Sequence, residues 1–436
     1  MTEINVIGAG LAGCEAAYQI AKRGIKVNLF EMKPVKFSPA HNNPDFCELV
    51  CSNSLKNENP LTSSGMLKEE MKLFDSLVLR CANMSRVPAG SALAVDRTLF
   101  SSLVTKELKK NKNVNIVNQE FLKIDENKIN VIATGPLTDG LFADEIKKIT
   151  GKDNLYFFDA AAPIVSFESI DYDKTFFMSR YNKGDADYLN CPLNKEEYRL
   201  FYNELINAES IKLKDFENDK VFEGCMPIEV MARRGIDTIR YGPLKPAGLY
   251  DEKNDTKPYA VLQLRRENLV GDYYNLVGFQ TNLTYSEQKR VFSLIPALKN
   301  AEFVKYGVMH RNTFVNAPQC LNKYSALKNN GNIFIAGQLS GVEGYLESCV
   351  SGLICGINAA NKALAKEPLE LDSETMTGAL LDYISNTSNK NFQPVNSNYA
   401  ILAPLLKDVK DKDLKRKMYL DRAIDKIKKC QIFEKI

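Results

Sequence analysis

The 436-residue chain contains no tryptophan, two histidines, and no pair of cysteines spaced as Cys-x-x-Cys. Protein zinc sites are built mostly from cysteine and histidine ligands in such short pairs, so we expect no metal centre. Ten cysteines are scattered along the chain. In a reducing compartment most of them should be small buried apolar groups, which leaves one or two as candidates for chemistry.

Long apolar segments are also missing. No uninterrupted run approaches the ~20 apolar residues that a membrane helix needs, and the amino terminus lacks the basic stretch of a secretory signal. We therefore expect a cytoplasmic protein with no membrane partner. The net charge of +3 does not by itself indicate nucleic-acid binding. Residues 407–436 carry eleven Lys/Arg against six Asp/Glu, which fits either an RNA-contacting tail or the solvated face of a mixed-charge helix.

A glycine-rich turn opens the chain. Gly8, Gly10 and Gly13 form a GxGxxG motif between a predicted strand at 4–7 and a predicted helix at 11–22. The first glycine permits the tight bend, the second lets a pyrophosphate approach the backbone, and the third lets the helix pack on the strand. Backbone N–H groups at the start of the helix then bind phosphate. The pattern predicts a dinucleotide site.

Three further features narrow the choice of dinucleotide. Glu31 ends the second predicted strand, where a carboxylate accepts hydrogen bonds from a ribose 2′-hydroxyl and repels a 2′-phosphate, so FAD or NAD fits and NADP does not. Thr134-Gly135 and Gly337-Gln338 each follow a predicted strand and resemble the later strand ends of flavoproteins with a two-dinucleotide-binding fold. No second GxGxxG exists for a separate nicotinamide domain. The sequence therefore favours FAD, with NADPH or NADH as a transient reductant.

The fold class predicted from this order is α/β. We expect a FAD domain of the two-dinucleotide-binding type formed by residues 1–175 and 314–436, the latter ending in a basic helical tail. Residues 176–313 should form a smaller inserted α+β domain, because aromatic residues, prolines and paired arginines become dense there and no βαβ pattern continues. A helix is predicted at 67–79 from its apolar periodicity.

Two cysteines stand in unusual local contexts. Cys51 lies in the polar segment Glu48–Ser54 (ELVCSNS), where nearby N–H donors can lower the pKa of a thiol and make it a thiolate. Cys225 lies in FEGCMP, where a glycine before it and a proline two residues later predict a rigid turn that displays the side chain. On these features alone, each cysteine is more often a structural thiol than a functional one.

Basic and aromatic residues cluster after Cys225. Arginines and a lysine on glycine- and proline-punctuated loops, with tyrosines between them, suit phosphate neutralisation and base stacking. The alternative is a set of surface salt bridges with Glu223, Glu229 and Asp237. His310 and Arg311 form another polar cluster, in which a lone histidine is more often a hydrogen-bonding group than a base. The predicted RNA-binding residues are Arg233, Arg234, Arg240, Lys245, Arg265 and Arg266.

Together these segments resemble the folate- and FAD-dependent tRNA uracil-5-methyltransferase family (TrmFO), a smaller relative of the flavoprotein GidA. The resemblance covers nearly the whole chain. Its motifs are Gly8–Gly13, Glu48–Ser54 (ELVCSNS), Leu67–Lys72 (LKEEMK), Val87–Arg97 (VPAGSALAVDR), Phe222–Met231 (FEGCMPIEVM), Gly242–Leu249 (GPLKPAGL), Val277–Thr281 (VGFQT), Met309–Thr313 (MHRNT), Ala336–Ser348 (AGQLSGVEGYLES) and Phe392–Asn398 (FQPVNSN).

The resemblance implies an activity and its residues. Reduced FAD would take a methylene group from 5,10-methylenetetrahydrofolate at its N5 and deliver it to C5 of a uracil, forming 5-methyluridine in RNA. Cys225 matches the family's nucleophile, which adds to uracil C6 and makes C5 electron-rich, and Cys51 matches a second functional cysteine near the flavin. The cofactor-binding residues predicted on this basis are Gly8, Ala9, Gly10, Leu11, Ala12, Gly13, Glu31, Met32, Thr134, Gly135, Gly337, Gln338, Glu343, Gly344 and Tyr345.

Departures from the family pattern leave the RNA class open. Cys47, Ser91 and Arg266 stand where alanine, glycine and glutamine are common. A branch of the family in small-genome bacteria modifies 23S ribosomal RNA rather than the tRNA T-loop, and the absence of tryptophan fits such a genome. Two other functions remain possible on sequence: a FAD-dependent NAD(P)H or thiol oxidoreductase with Cys47 and Cys51 as a redox pair, and a flavin-stabilised RNA-binding factor without catalysis. The usual reductase spacings, CxxC and CxxxxC, are both absent here.

Overall fold

The computed structural model describes residues 3–182, 185–211, 226–388, 392–406 and 409–430. In these ranges the strands are β1 (Ile4–Ile7), β2 (Val27–Glu31), β3 (Ser54–Asn57), β4 (Arg86–Val87), β5 (Ala92–Val95), β6 (Val114–Asn118), β7 (Asn130–Ile132), β8 (Leu155–Ala160), β9 (Ile164–Ser166), β10 (Phe176–Phe177), β11 (Leu189–Leu193), β12 (Ala260–Arg266), β13 (Tyr273–Leu276), β14 (Phe303–Lys305), β15 (Met309–Phe314) and β16 (Ile333–Ile335). The helices are α1 (Leu11–Lys22), α2 (Ser63–Leu73), α3 (Leu77–Met84), α4 (Arg97–Lys110), α5 (Gly140–Thr150), α6 (Lys195–Asn207), α7 (Ile228–Ala232), α8 (Thr238–Tyr241), α9 (Tyr285–Phe292), α10 (Ala317–Cys320), α11 (Tyr345–Ala363), α12 (Met376–Ser385) and α13 (Lys412–Lys428).

A five-stranded parallel sheet forms the centre of the first domain, in the order β16-β7-β1-β2-β6. β1, β7 and β16 are buried along their whole length, as expected when helices cover both faces of a parallel sheet. Helices α1 and α11 cross closely because α11 carries glycines at the contact. A Cβ at Gly352 would lie 2.1 Å from the Ala12 carbonyl oxygen, and one at Gly356 would lie 2.6 Å from that of Ala16. The predicted α/β fold is confirmed.

A six-stranded antiparallel sheet forms the second domain, in the order β10-β11-β12-β13-β9-β14. Its core is aromatic and includes Tyr198, Phe201, Phe279 and Phe292, which are fully buried. The sheet starts with β9 at Ile164–Ser166, ahead of the boundary predicted at 176, because β9 pairs with both β13 and β14.

The connection between the domains is a pair of strands. β8 and β15 are antiparallel, with Met309 opposite Ala160 and His310 opposite Asp159. The structure therefore assigns β15 to this connection and not to the insertion that was predicted to reach residue 313. Pairings of this kind join segments about 150 residues apart along the printed sequence, which local patterns do not reveal.

Two helical predictions have different outcomes. The helix predicted at 67–79 is wrong, since α2 ends at Leu73 and α3 begins at Leu77 after Asp75 takes a positive φ of 55°. Ser76 caps α3 by accepting from the Leu79 N–H at 3.2 Å. The basic tail is helical, as predicted. Helix α13 buries Tyr419, Leu420, Ala423 and Ile427 and packs against α2.

The described ranges contain neither a membrane-spanning helix nor a cluster of metal ligands. None of the described helices is both long and apolar enough to cross a membrane. Among the same residues, no group of three or more His, Cys, Asp or Glu side chains is arranged to hold a metal ion.

Buried glutamates bind the amino ends of two helices. Glu15, on α1, accepts from the N–H groups of Leu77 and Val78 at the start of α3, at 3.3 and 3.0 Å. Glu70, on α2, accepts from the N–H groups of Met376 and Thr377 at 2.7 and 2.8 Å, and from the Thr377 hydroxyl at 2.6 Å. Both carboxyl groups are completely buried. They satisfy helix N–H donors that have no partner within their own helix.

Glu70 should make the stability of the protein depend on pH. Burial raises its pKa to about 7 in the folded protein, from 4.5 in the unfolded chain. The folded state therefore binds more protons between pH 4.5 and 7, and the stabilisation from this group is lost as the pH rises through that window. For Glu70→Gln we expect this part of the pH dependence of stability to disappear. Relative to wild type, the free energy of unfolding should change across this window by an amount on the order of 2–3 kcal/mol.

Thermal unfolding of both proteins between pH 5 and 8 measures the effect. Glu69→Gln is the matched control, because Glu69 is partly exposed on the same helix turn and pairs with Lys72 at 2.6 Å. It should keep the wild-type slope. Parallel curves for wild type and Glu70→Gln would show that the Glu70 carboxyl does not titrate in this range.

Candidate active site

A cavity lies at the carboxyl edge of the parallel sheet, between the turn after β1, the end of β7 and the start of α11. It encloses about 1310 Å³ of empty space, its open mouth included. Crevices at this edge of α/β sheets are the usual ligand sites. Most of the predicted cofactor-binding residues line it: Gly8, Ala9, Gly10, Leu11, Ala12, Glu31, Met32, Thr134, Gly135, Gly337, Gln338 and Tyr345.

The three glycines of the GxGxxG turn differ in what surrounds them. Gly8 has a φ of +96°, and a Cβ there would lie 2.6 Å from the Ala133 carbonyl oxygen. A Cβ at Gly13 would lie 1.7 Å from the Gly8 carbonyl oxygen, so Gly13 packs α1 against the turn. Gly10 faces open space, with no atom within 4 Å of its Cβ position. A free approach at the second glycine is what a pyrophosphate requires.

Glu31 lies on the cavity wall next to this turn. One carboxylate oxygen accepts from the Ala9 N–H at 2.8 Å, and the other accepts from the Lys33 N–H at 3.0 Å. The two bonds fix the carboxylate beside the glycine turn, where a ribose hydroxyl would meet it. The residues present therefore fit the adenosine part of FAD.

The later strand ends bring α11 to the same cavity. Gly337 has a φ of +72°, and a Cβ there would lie 2.9 Å from the Cβ of Ala12. Gly344 precedes α11 with a φ of +110° and does not line the cavity. Glu343 also lies outside the lining; it is buried and accepts a hydrogen bond from the Gln338 amide. Burial and the nearby Asp159 hold the pKa of Glu343 well above its usual range.

Several lining residues were not predicted individually from the sequence. Lys33, His41 and Glu48 all face the cavity from the loop after β2. The Lys33 ammonium donates to the carbonyl oxygens of Asn43 and Asp45 at 2.9 and 2.7 Å, which fixes the path of this loop. Burial lowers the pKa of His41, so the neutral imidazole is favoured. The signal available in the sequence was the position of this Pro- and Asn-rich loop directly after Glu31.

Comparison with known proteins identifies the family. Residues 3–367 match the family model described as glucose inhibited division protein A. The methylenetetrahydrofolate–tRNA-(uracil-5-)-methyltransferase TrmFO of Caldicellulosiruptor bescii is 58% identical over 420 residues, 96% of each chain. The protein of the same name from Acetivibrio thermocellus is 56% identical over 409 residues, 94% of each chain. This chain belongs to the GidA/TrmFO family.

The fold agrees with that membership. GidA of Aquifex aeolicus superposes with a TM-score of 0.70 at 15% sequence identity, covering 98% of this chain and 73% of that one. A second crystal form of the same protein gives 0.67 at 16% identity, covering 98% and 77%. The FAD-type α/β architecture and the second domain are therefore features of the GidA/TrmFO fold.

Cys51 of this GidA/TrmFO chain lies close to the cavity, in surroundings that disfavour its thiolate form. Its neighbour Val50 and its hydrogen-bond partner Tyr345 line the cavity, and its Sγ lies 3.8 Å from the Ala160 carbonyl oxygen. Burial, together with the Asp159 carboxylate, raises the pKa of Cys51. The predicted lowering of its pKa is wrong in this structure, because burial of the thiol outweighs any stabilisation of a thiolate by nearby donors.

Cys47 and Cys51, the pair that a thiol reductase would use, are both free thiols in the described part of the chain. Cys47 is fully buried in the apolar core beside Cys14, and burial holds its pKa well above the usual range. Cys51 is half-buried and directed at Ala160. Cys225 lies outside the described residues, so its environment is not described.

The predicted RNA-binding residues fall into three groups: three exposed residues, the half-buried Arg240, and the two adjacent arginines of β12. Arg233, Arg234 and Lys245 are exposed on the second domain. Arg240 donates to the Tyr259 carbonyl oxygen at 3.0 Å and lies 3.6 Å from Asp237, so one of the expected salt bridges is present.

The adjacent arginines of β12 face different surroundings. Arg266 is half-buried and donates to the Tyr274 hydroxyl at 3.1 Å. Arg265 is 7% exposed and donates to Asn53 and Ser52, so it is removed from the predicted RNA surface. The reason is packing, since its end of β12 lies against the Cys51 loop.

His310 lies on β15 next to the same region. Burial lowers its pKa, with the positive charge of Lys305 acting in the same direction. A neutral imidazole is therefore favoured here, and it can accept or donate a hydrogen bond without carrying charge.

Proposed function

We propose that this protein forms 5-methyluridine in RNA with 5,10-methylenetetrahydrofolate as carbon donor, FAD as bound cofactor and Cys225 as nucleophile. The protein is a methyltransferase of the folate- and FAD-dependent type, acting on a uracil of tRNA. The observation that carries this conclusion is a cavity lined by the GxGxxG turn and by Glu31, the arrangement that a FAD site requires. The chain that contains it is 58% identical to the TrmFO methyltransferase of Caldicellulosiruptor bescii.

The chemistry requires a nucleophile outside the flavin site. C5 of uracil is a poor nucleophile until C6 carries an electron-releasing adduct, and a thiolate forms such an adduct readily. The residues that directly follow Cys225 in the sequence belong to the second domain. The Ile228 N–H donates to the Gln280 carbonyl oxygen at 2.7 Å, and the Glu229 carboxylate accepts from Thr281 Oγ1 at 2.9 Å and from the Asn282 N–H at 2.7 Å.

The residues that would hold FAD are those of the glycine turn and of the cavity wall beside it. Gly8 and Gly10 leave room for the pyrophosphate, Glu31 would bind the ribose, and the start of α11 would meet the flavin end of the cofactor. When bound, the flavin supplies the redox chemistry of the transferred one-carbon unit. NADPH or NADH is the proposed reductant. We propose Cys51 as a second functional thiol, since its neighbour Val50 and its hydrogen-bond partner Tyr345 line the cavity.

The proposed RNA surface is the exposed basic part of the second domain. Arg233, Arg234 and Lys245 carry it, with Arg240 and Arg266 at its edge. The favoured substrate is tRNA, and 23S ribosomal RNA is the alternative. Exposed lysines and arginines bind phosphate without reading sequence.

Removing two of these charges should weaken RNA binding. For the double variant Arg233→Ala/Lys245→Ala we expect roughly a tenfold loss of affinity and a salt dependence smaller by about 1.5 in the log–log slope. Binding to a tRNA transcript at several salt concentrations measures both. Arg199→Ala, an exposed arginine on α6 of the same domain, is the control and should bind as wild type. Equal slopes for all three proteins would remove this surface from the RNA site.

The function itself is tested by label transfer. Purified FAD-loaded protein is incubated with methylenetetrahydrofolate labelled in its one-carbon unit, NADPH, and either a tRNA or a 23S ribosomal RNA transcript. We expect label in the tRNA. Label in the ribosomal RNA alone would change the substrate class, and label in neither, with rapid NADPH oxidation in the absence of RNA, would favour an oxidoreductase.

A further inference from the structure

The loop that carries Cys51 is held largely by side chains from other elements, in addition to a backbone bond from the Val95 N–H to the Asn53 carbonyl oxygen at 3.0 Å. The Cys51 N–H donates to the Tyr345 hydroxyl at 2.9 Å, and the Cys51 carbonyl accepts from Arg97 Nη2 at 3.2 Å. Arg97 Nη1 also donates to the Leu49 carbonyl oxygen at 2.5 Å. Because buried backbone groups need partners, these side chains fix the path of residues 49–53.

The second domain contributes a clamp on the same loop through the end of β12. Arg265 donates from Nε to Asn53 Oδ1 at 2.9 Å and from Nη2 to Ser52 Oγ at 2.8 Å. In return, Asn53 Nδ2 donates to the Arg266 carbonyl oxygen at 2.8 Å. Asn53 is completely buried and Arg265 nearly so. Both the oxygen and the nitrogen of the Asn53 side-chain amide therefore form hydrogen bonds with residues of β12.

An ion pair completes the connection between the domains. Glu267, directly after β12, accepts from Arg97 Nε at 2.6 Å and is 6% exposed. Arg97 thus links the carbonyls of the Cys51 loop to the second domain. Lys305, on β14, donates to a further carbonyl oxygen of the loop, that of Val50, at 3.2 Å.

We propose that Arg265 and Glu267 are positioning residues that set the place of the Cys51 thiol beside the FAD cavity. The geometry of a thiol in the first domain then depends on the second domain, which carries the proposed RNA surface. What Cys51 does in catalysis rests on the proposed function, whereas the clamp itself does not. Active-site groups tolerate displacements of only about 0.5 Å, so a clamp of this kind has a measurable role.

The clamp is tested by the reactivity of Cys51 in the FAD-loaded protein. Arg265→Lys keeps the positive charge but loses the planar fork that reaches Asn53 and Ser52 together. We expect iodoacetamide to label the Cys51 peptide about tenfold faster in this variant, and kcat for methyl transfer to fall about tenfold or more with KM for RNA unchanged. Arg266→Lys is the matched control for labelling, because the Arg266 side chain bonds Tyr274 and not the loop.

Glu267→Gln provides a second variant of nearly the same shape. The charged and titratable groups that face Cys51 are Asp159, Glu343, Arg97, Lys305 and Tyr345. With Glu267 neutral, the positive charge of Arg97 acts on the thiol without its counter-charge. The pH of half-maximal labelling should therefore move down.

Labelling rates within twofold of wild type in both variants, with no downward shift in Glu267→Gln, would overturn the proposal. The labelling arm needs neither RNA nor folate, so it remains decisive if wild type fails to transfer label to RNA. That failure would count against the proposed function and not against the clamp.

Discussion

Cys225→Ala should retain bound FAD and lose methyl transfer by about three orders of magnitude or more, as expected when a covalent nucleophile is removed. A methyl side chain cannot add to uracil C6, so C5 stays too electron-poor to accept the one-carbon unit. Flavin absorbance and label transfer to tRNA measure the two properties on the same sample. Cys225→Ser should be nearly as inactive, because a serine hydroxyl without an activating base is a far weaker nucleophile than a thiolate.

An RNA carrying 5-fluorouridine at the target position separates the first step from the later ones. After thiol addition to C6, fluorine at C5 cannot leave as a proton would, so the adduct between protein and RNA should persist through denaturing electrophoresis. We expect this band with wild type and with Cys430→Ala, which removes a half-buried thiol just after the end of α13. Cys225→Ala should give no band. A band of equal strength in Cys225→Ala would assign the nucleophile to another cysteine.

Most of the residues predicted for the FAD site line one cavity, because the patterns that predicted them are local. Helix α1 has the predicted bounds of 11–22, since the glycine turn before it and Gly24 after it are strong boundary residues. Glu31 was predicted from its position at the end of the second strand and lies at the cavity wall. Backbone turns and strand ends of this kind are determined by residues within about 30 positions of one another, as in one βαβ unit.

The predictions that failed depend on distant contacts. Arg265 was assigned to RNA because it adjoins Arg266, yet its partner Asn53 is 212 positions away and draws the side chain into the interior. The pKa of Cys51 was expected to be low because of nearby N–H groups, but burial raises it, and part of its surroundings comes from Tyr345, 294 positions away, which accepts from the Cys51 N–H. Neither partner can be recognised from the residues around the predicted site. β9 was placed outside the second domain for a similar reason, since its partners β13 and β14 lie far from it in the sequence.

Gly13→Ala should abolish FAD binding and destabilise the first domain. The added Cβ would lie 1.7 Å from the Gly8 carbonyl oxygen, a backbone atom that cannot move without opening the turn after β1. Overpacking of this kind costs roughly 1–3 kcal/mol, and here it also displaces the N–H groups that would bind phosphate. We expect a colourless protein with a lower Tm, measured by flavin absorbance and thermal unfolding.

Gly10→Ala is the matched comparison, three residues earlier in the same motif. No atom lies within 4 Å of its Cβ position, and its φ of −75° suits alanine, so the FAD-free protein should unfold at the wild-type temperature. Its methyl group would occupy the space that the pyrophosphate needs, so FAD affinity should still fall about tenfold or more. The two variants thus separate the packing role of one glycine from the binding role of the other. If Gly10→Ala binds FAD as wild type does, the pyrophosphate does not pass over this turn.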